Sequence, residues 1–308
     1  MKRNISISIG YPQYRVGEEK ALALAAAAGA DGVDFDTSSG RFDYRRADSV
    51  YARTDDEIVA WATDLREKAA ALGLAIFQTH GRIKGFGEDP AENEVILENA
   101  RRDLLVAKAL GAPVAVIHGV STYFIGTGIS PERMHELNVE MFCRLLPYAE
   151  KYDIKVATET FGDAEKGTVC DFFGSCREFI PNFDRIAEES GRGQYLTACM
   201  DVGHTNMAKR FHGNPPVGEF IRRLGNRLGV LHLHDNDGID DKHGIPKTGT
   251  VDWKDVLTAL DEVGYTGPYN LELNLATFGA PLMADTMSFG VKVMRQILNE
   301  HYGEETGR

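Results

Sequence analysis

The chain has 308 residues, 43% of them hydrophobic and 26% charged. That composition excludes collagenous, low-complexity and disordered classes and leaves enough length for a sizeable core. Acidic residues outnumber basic ones by 46 to 34, a net charge of −12, which argues against a nucleic-acid partner because such proteins need a basic footprint. Cys143, Cys170, Cys176 and Cys199 form no CxxC pair and no disulfide framework, which points to a reducing, cytoplasmic setting. No apolar run reaches about 18 residues, so no membrane span is expected. Met1 to Gly10 reads as a first strand rather than a signal peptide.

Apolar, β-branched runs alternate with amphipathic or Ala-rich stretches of helical length, the signature of a parallel sheet with crossover helices. In chain order, strand Asn4–Ile9 precedes helix Glu18–Ala28, and strand Gly32–Asp36 precedes helix Asp55–Leu72. Strand Leu74–His80 leads to helix Ala91–Leu110, and Val114–His118 to Pro131–Lys151. Ile154–Glu159 is followed by Cys176–Ser190, and Leu196–Asp201 by Val217–Leu228. Val230–Asp235 comes before Trp253–Val263, and Tyr269–Leu273 before Ala284–His301. Gly29, Gly73, Gly111 and Gly264 each stand where a helix should stop. Eight such units, with no linker between them and no GxGxxG after the first strand, predict one (β/α)8 barrel over residues 1–308. An open doubly wound sheet is the alternative.

The strands end in polar residues, and in parallel α/β folds the carboxyl ends of strands are where ligands bind. Candidate site residues at or just past those ends are His80, His118, Glu159, Asp201, His204, His232, His234, His243 and Glu272. Glu159, Asp201, His234 and Glu272 come from four consecutive strand ends. Three carboxylates aimed at one axis repel unless a cation sits among them. Three carboxylates and an imidazole suit Mn²⁺ first, with Mg²⁺, Co²⁺ and Zn²⁺ as alternatives. His232 and His234 share a strand face; His234, nearer the carboxyl end, is the expected ligand, with His232 one layer deeper. The long segment from Asn236 to Trp253 reads as a functional loop. Asp237 and Asp240 read as solvated loop charges, whereas Asp241-Lys242-His243 lies beside the site. Arg82, Lys84, Lys242 and Lys247 occupy loops where they could meet a phosphate or serve as surface charge. The cysteines and the Phe172-Phe173 pair read as packing residues.

Thr158-Glu159-Thr160, Asp201-Val202-Gly203-His204, His232-Leu233-His234-Asp235, the His243 to Trp253 segment and Leu271-Glu272 together resemble the xylose-isomerase-like barrels. This is the sugar (phosphate) isomerase/epimerase superfamily, and the resemblance spans nearly the whole chain. By resemblance to its ketose 3-epimerases, Glu159, Asp201, His234 and Glu272 would hold one divalent metal. Glu165, six residues after Glu159, and His204, three after Asp201, would bind substrate. The arginine of those enzymes, six residues after the metal histidine, is Asp240 here, and Lys242 would substitute for it in binding substrate. His80, His118 and His243 would complete the substrate-binding set. The implied chemistry is proton abstraction beside a carbonyl of a ketose or sugar phosphate, through a metal-stabilised enediolate, with Glu159 and Glu272 as acid and base. The same chemistry on 3-oxo-sugars would give β-elimination.

A second branch of the superfamily implies a different activity. Endonuclease IV-like repair nucleases use three zinc ions held by His, Asp and Glu. Plausible matches are His80, His118, Glu159, Asp201, His204, His232 or His234, Asp241, His243 and Glu272. The negative charge favours the sugar reading. The expected partner is therefore a small sugar or sugar phosphate, with no nucleic acid and no membrane, and the resemblance admits a homo-oligomer.

Overall fold

The computed structural model describes residues 3–164 and 168–303. Its eight principal strands are β1 (Ile5–Ser8), β2 (Gly32–Asp36), β3 (Ala75–His80), β4 (Val114–Val116), β5 (Lys155–Glu159), β6 (Leu196–Asp201), β7 (Leu228–His232) and β8 (Tyr269–Leu271). They form one parallel sheet in sequential order, with β8 beside β1. Just past β7, Leu233 N–H donates to Asn270 at 2.8 Å and Glu272 N–H donates to Leu233 at 3.1 Å, which closes the sheet into a barrel. The predicted (β/α)8 architecture is the one observed, and the open sheet is excluded.

Each strand is followed by an outer helix. These are α1 (Glu18–Ala27), α2 (Asp55–Ala71), α3 (Pro90–Leu110), α4 (Pro131–Tyr152), α5 (Cys176–Ser190), α6 (Val217–Leu224), α7 (Trp253–Glu262) and α8 (Met283–Tyr302). They bury one apolar side against the sheet, for example Leu104, Phe142, Phe220, Leu260 and Met294. Local chemistry fixes their ends. Thr54 and Glu57 form a reciprocal capping box at the start of α2. The four predicted stop glycines, Gly29, Gly73, Gly111 and Gly264, all have positive φ. Asp153 takes the same left-handed role after α4, where no glycine marks the stop.

The main departures are at boundaries. The seventh strand was expected at Val230–Asp235 but runs Leu228–His232, and beyond it only isolated bridges Leu233–Leu271 and Asp235–Gly244 remain. The fourth ends at Val116 rather than His118. The sixth helix stops at Leu224, where Gly225 has φ 54° and a tight turn replaces the last predicted residues. His118 and His234 thus sit on chain that has already left the ladder, whereas His80, Glu159, Asp201 and His232 are still within it.

The barrel interior has two unlike halves. Strands β4 to β7 contribute a small apolar cluster of Val114, Val116, Ala157, Cys199 and Val230. The two-residue strand period then carries the same face to His118, Glu159, Asp201 and His232. Around β8, β1, β2 and β3 the buried residues are instead Asn270, Ser6, Asp34 and Gln78. Ser6 Oγ donates to Asn270 Oδ1 at 2.8 Å, and Asn270 Nδ2 lies 3.3 Å from Asp34 Oδ2.

Candidate active site

At the carboxyl end of the barrel, His80, Glu159, Asp201 and His232 are the last residues of β3, β5, β6 and β7. His118 and Glu272 follow β4 and β8 closely. Asp201 also caps the short helix Val202–Ala208, accepting from His204 N–H at 2.6 Å. That helix turns His204 back over the mouth.

Two groups of ligand-type atoms result. In the deeper one, His232 Nδ1 lies 3.1 Å from Glu159 Oε2 and 3.4 Å from Glu272 Oε2. Glu159, Asp201, His232 and Glu272 present ligand atoms within 4.8 Å of one another. His118 Nε2 lies 2.9 Å from Glu159 Oε2, and His80 Nε2 sits 3.8 Å from Glu159 and 3.7 Å from Glu272. In the shallower group His234, His204, Asp241 and His243 converge. His204 Nε2 and His243 Nε2 lie 3.4 and 3.2 Å from Asp241 Oδ2, and His234 stacks on His243 with ring centroids 3.9 Å apart. Asp201 joins the two groups through His234 Nε2, at 3.0 Å.

The expected quartet thus differs at one position. His232, not His234, faces Glu159 and Glu272, and His234 points to Asp201 and Asp241. The expectation of His234 rests on its place nearer the carboxyl end of the strand. The carboxylates instead turn inward, to the layer that His232 occupies. Gly203 explains how His234 fits: a Cβ there would overlap its ring.

The electrostatics are those of mutual support. Burial pushes the Glu159 carboxyl up, but His232 and His118 beside it draw it well below the usual range. Burial likewise opposes ionisation of Asp201 and is outweighed by His204 and His234. Burial opposes charge on His232 and His204, yet Cys199, Glu159 and Glu272 around the first and Asp201 and Asp241 around the second raise both well above an ordinary histidine. His243 rises to about 9 against the same opposition. Burial dominates at His118 and lowers it.

Both oxygens of Glu159, both ring nitrogens of His232, Nδ1 of His234 and Oε2 of Glu272 are buried without a well-directed hydrogen bond. Even the 2.9 Å approach of His118 to Glu159 is off the hydrogen-bonding direction. Unpaired buried polar atoms are rare. Carboxylate and imidazole lone pairs facing a common space fit a divalent cation.

Above these groups lies a cavity of about 540 Å³, lined by His80, His118, Glu159, His204, His243 and Glu272. Its outer wall is apolar, with Ile83, Tyr123, Phe124, Phe161 and Met207. A second cavity of about 270 Å³, lined by Ser8, Tyr11, Asp34, Asp36 and Asn274 among others, shares Ser38, His80, His243 and Glu272 with it. Lys242 is not part of either wall; it is exposed and paired with Asp237. Glu165 lies outside the described residues. Arg82 is bound to Asp103 at 2.9 Å, Lys247 to Glu300 at 2.7 Å, and Lys84 lies 3.6 Å from Glu92. Asp34, Tyr123 and Phe161 carried no recognised signal in sequence, although a carboxylate inside Gly32-Val33-Asp34-Phe35 is the one that stood out against an apolar strand.

A family model described as xylose isomerase-like TIM barrel matches residues 22–293. The chain belongs to that family. A D-psicose 3-epimerase of Enterocloster bolteae is 26% identical over 221 residues, 68% of this chain and 65% of that protein. The chain aligns with between 36% and 65% of the length of the curated relatives it matches. Among solved structures, a D-tagatose 3-epimerase-like protein superposes with TM-score 0.75 at 18% identity, covering 98% of this chain and 99% of the other. A structure of IolI protein with a bound zinc atom gives TM-score 0.69 at 16% identity, covering 99% and 100%. At those identities the structural likeness shows the shared fold. No helix among the described residues is long and apolar enough to cross a membrane.

Proposed function

We propose that this protein is a divalent-metal-dependent isomerase or epimerase of an uncharged sugar, acting by proton transfer at a carbon beside a carbonyl. The observation that carries the reading is the convergence of Glu159, Asp201, His232 and Glu272, whose ligand atoms lie within 4.8 Å of one another; both Glu159 oxygens, both His232 nitrogens and one Glu272 oxygen are buried without a hydrogen bond, and Glu159 and Glu272 line a cavity of about 540 Å³. Those four residues would hold the ion. A bound divalent ion supplies Lewis-acid polarisation of a substrate carbonyl and hydroxyl; Mn²⁺ suits this oxygen-rich set.

The residues themselves supply the rest. Glu159 and Glu272 reach the shared space from β5 and β8, so a sugar lying between them meets a carboxylate on each side. One takes the proton from carbon and the other returns it, which inverts that carbon; both transfers on one side would interconvert aldose and ketose. His80, within 3.8 Å of Glu159 and 3.7 Å of Glu272, and His118 would hydrogen-bond the sugar hydroxyls. Elimination from a 3-oxo-sugar would use the same carboxylates.

An uncharged sugar is favoured over a sugar phosphate. Among the described residues no lysine or arginine lines either cavity. Arg82, Lys84, Lys242 and Lys247, which their loops left open as phosphate contacts or surface charge, are engaged with carboxylates elsewhere. The similarity to a D-psicose 3-epimerase supports the same class of substrate.

The test is deuterium uptake from heavy water into a panel of ketoses and 3-oxo-sugars by Mn²⁺-loaded protein. Carbon-bound deuterium in at least one neutral sugar is expected, with none in the Glu159→Gln and Glu272→Gln variants. Uptake by either variant at the wild-type rate would remove the two-carboxylate mechanism.

One observation favours a second reading, the three-metal endonuclease IV-like site. His80, His118 and Glu159 also form a ligand group, as do His204, His234, Asp241 and His243. About three zinc ions per chain with cleavage of abasic DNA would establish it, against the charge of −12.

A further inference from the structure

We infer that Asp34 is the positioning residue of the metal centre: it faces His232 from behind and sets Nδ1, not Nε2, as the ligand atom. The inference rests on the reading that Glu159, Asp201, His232 and Glu272 hold a divalent ion.

Asp34 is the central residue of β2 and is fully buried. Its hydrogen-bond donors are all neutral: Ser8 Oγ at 2.8 Å, Asn270 Nδ2 at 3.3 Å and Gln78 Nε2 at 3.4 Å, each to Oδ2. Oδ1 has no partner. A buried carboxylate supported only by neutral groups is costly unless something positive stands nearby. What stands there is His232, with Nε2 3.3 Å from Asp34 Oδ2. The opposite nitrogen, Nδ1, faces Glu159 and Glu272 at 3.1 and 3.4 Å. His232 is itself fully buried, and His80 stacks on it with centroids 5.2 Å apart and planes 11° from parallel. The ring is therefore sandwiched between a carboxylate behind and two ligand carboxylates in front.

An imidazole in that position has one workable arrangement with a cation present. Nε2 carries the proton toward Asp34, and Nδ1 offers its lone pair. A carboxylate behind a ligating histidine fixes the tautomer and ring orientation and strengthens the ligand. None of the other imidazoles in the deep group has this backing. Ser8, Gln78 and Asn270 hold Asp34 in turn, which gives the polar half of the barrel interior a purpose: it carries the support for a ligand on the other half.

The experiment compares Mn²⁺ affinity of metal-stripped wild type and Asp34→Asn by titration calorimetry, with thermal unfolding of both stripped proteins. The asparagine keeps the shape and loses the charge. A ten- to hundred-fold weaker Kd for Mn²⁺ is expected, with the stripped variant melting no lower than the stripped wild type. A Kd within two-fold of wild type overturns the inference, as does a lower melting point with unchanged Kd, which marks a structural role alone. If the variant does not fold, the wild type decides. With Zn²⁺ bound, ¹⁵N NMR of His232 should show the proton on Nε2, and a proton on Nδ1 overturns the inference. Wild type that takes up no metal removes the metal reading itself and the inference with it.

Discussion

His232 and His234 are two residues apart on one face of one strand end, yet they serve different neighbourhoods. His232 is the last residue of β7, and Glu159, Glu272 and Asp34 surround it. His234 lies beyond the ladder and meets Asp201, Asp241 and His243, two of which come from the long loop. One step of strand, about 7 Å for two residues, separates a centre built from strand ends from one built from a loop and a short helix. Strand ends are fixed by the barrel's hydrogen bonds, so the deep group is held in place, as the proposed chemistry requires. The shallow group depends on loop conformation and suits recognition or closure.

The largest effects should come from the deep group. Glu159→Gln and Glu272→Gln should each lower kcat at least about 10³-fold, because general acid–base catalysis alone contributes about 10²–10⁴ and ion binding adds to it. Asp241→Asn, in the shallow group, should change KM more than kcat. Steady-state kinetics on the sugar identified by deuterium uptake separates the two, and equal kcat losses at both levels would abolish the distinction.

A smaller effect is expected where the levels join. In Gly203→Ala the new methyl meets the His234 ring, so an overpacking penalty of about 1–3 kcal/mol is expected in chemical denaturation. An unchanged midpoint would mean that His234 is free to move. Smaller still is a pH effect at the loop wall. Asp171 accepts from Ser121 Oγ at 2.7 Å and from Tyr123 N–H at 3.3 Å, fastening the turn that carries Tyr123 and Phe124. Burial pushes its carboxyl up to about 6 from 3.8. With the folded value above the unfolded one, its contribution to stability is full below pH 3.8 and is lost as pH rises through about 6. Relative to Asp171→Asn, wild type should therefore lose stability across that window, and parallel curves would refute the assignment. Lys242→Ala should leave kcat/KM within about two-fold, since exposed ion pairs contribute little.

The barrel was legible because its signals are local and repeated. Alternation, stop glycines and caps act within a few residues, and two strands and one helix match their predicted ranges to the residue: Gly32–Asp36, Leu196–Asp201 and Cys176–Ser190. The candidate ligands were visible as polar residues at apolar strand ends. Depth was not visible. Which of two histidines on one face meets the carboxylates depends on where Glu159 and Glu272 turn, a long-range property. The surroundings of Lys242 are hidden for a similar reason: it is expected at the substrate, and Asp237 in its own loop pairs with it. Asp34 was passed over because a lone carboxylate within a strand acquires meaning only when His232, 198 positions away in sequence, is brought behind it.

The most direct test is metal content by elemental analysis after stripping and reloading with limiting Mn²⁺, for wild type, His232→Ala and His234→Ala. About one ion per chain is predicted in wild type and in His234→Ala, with loss in His232→Ala. Retention in His232→Ala with loss in His234→Ala would contradict the placement of the metal centre in the deep group.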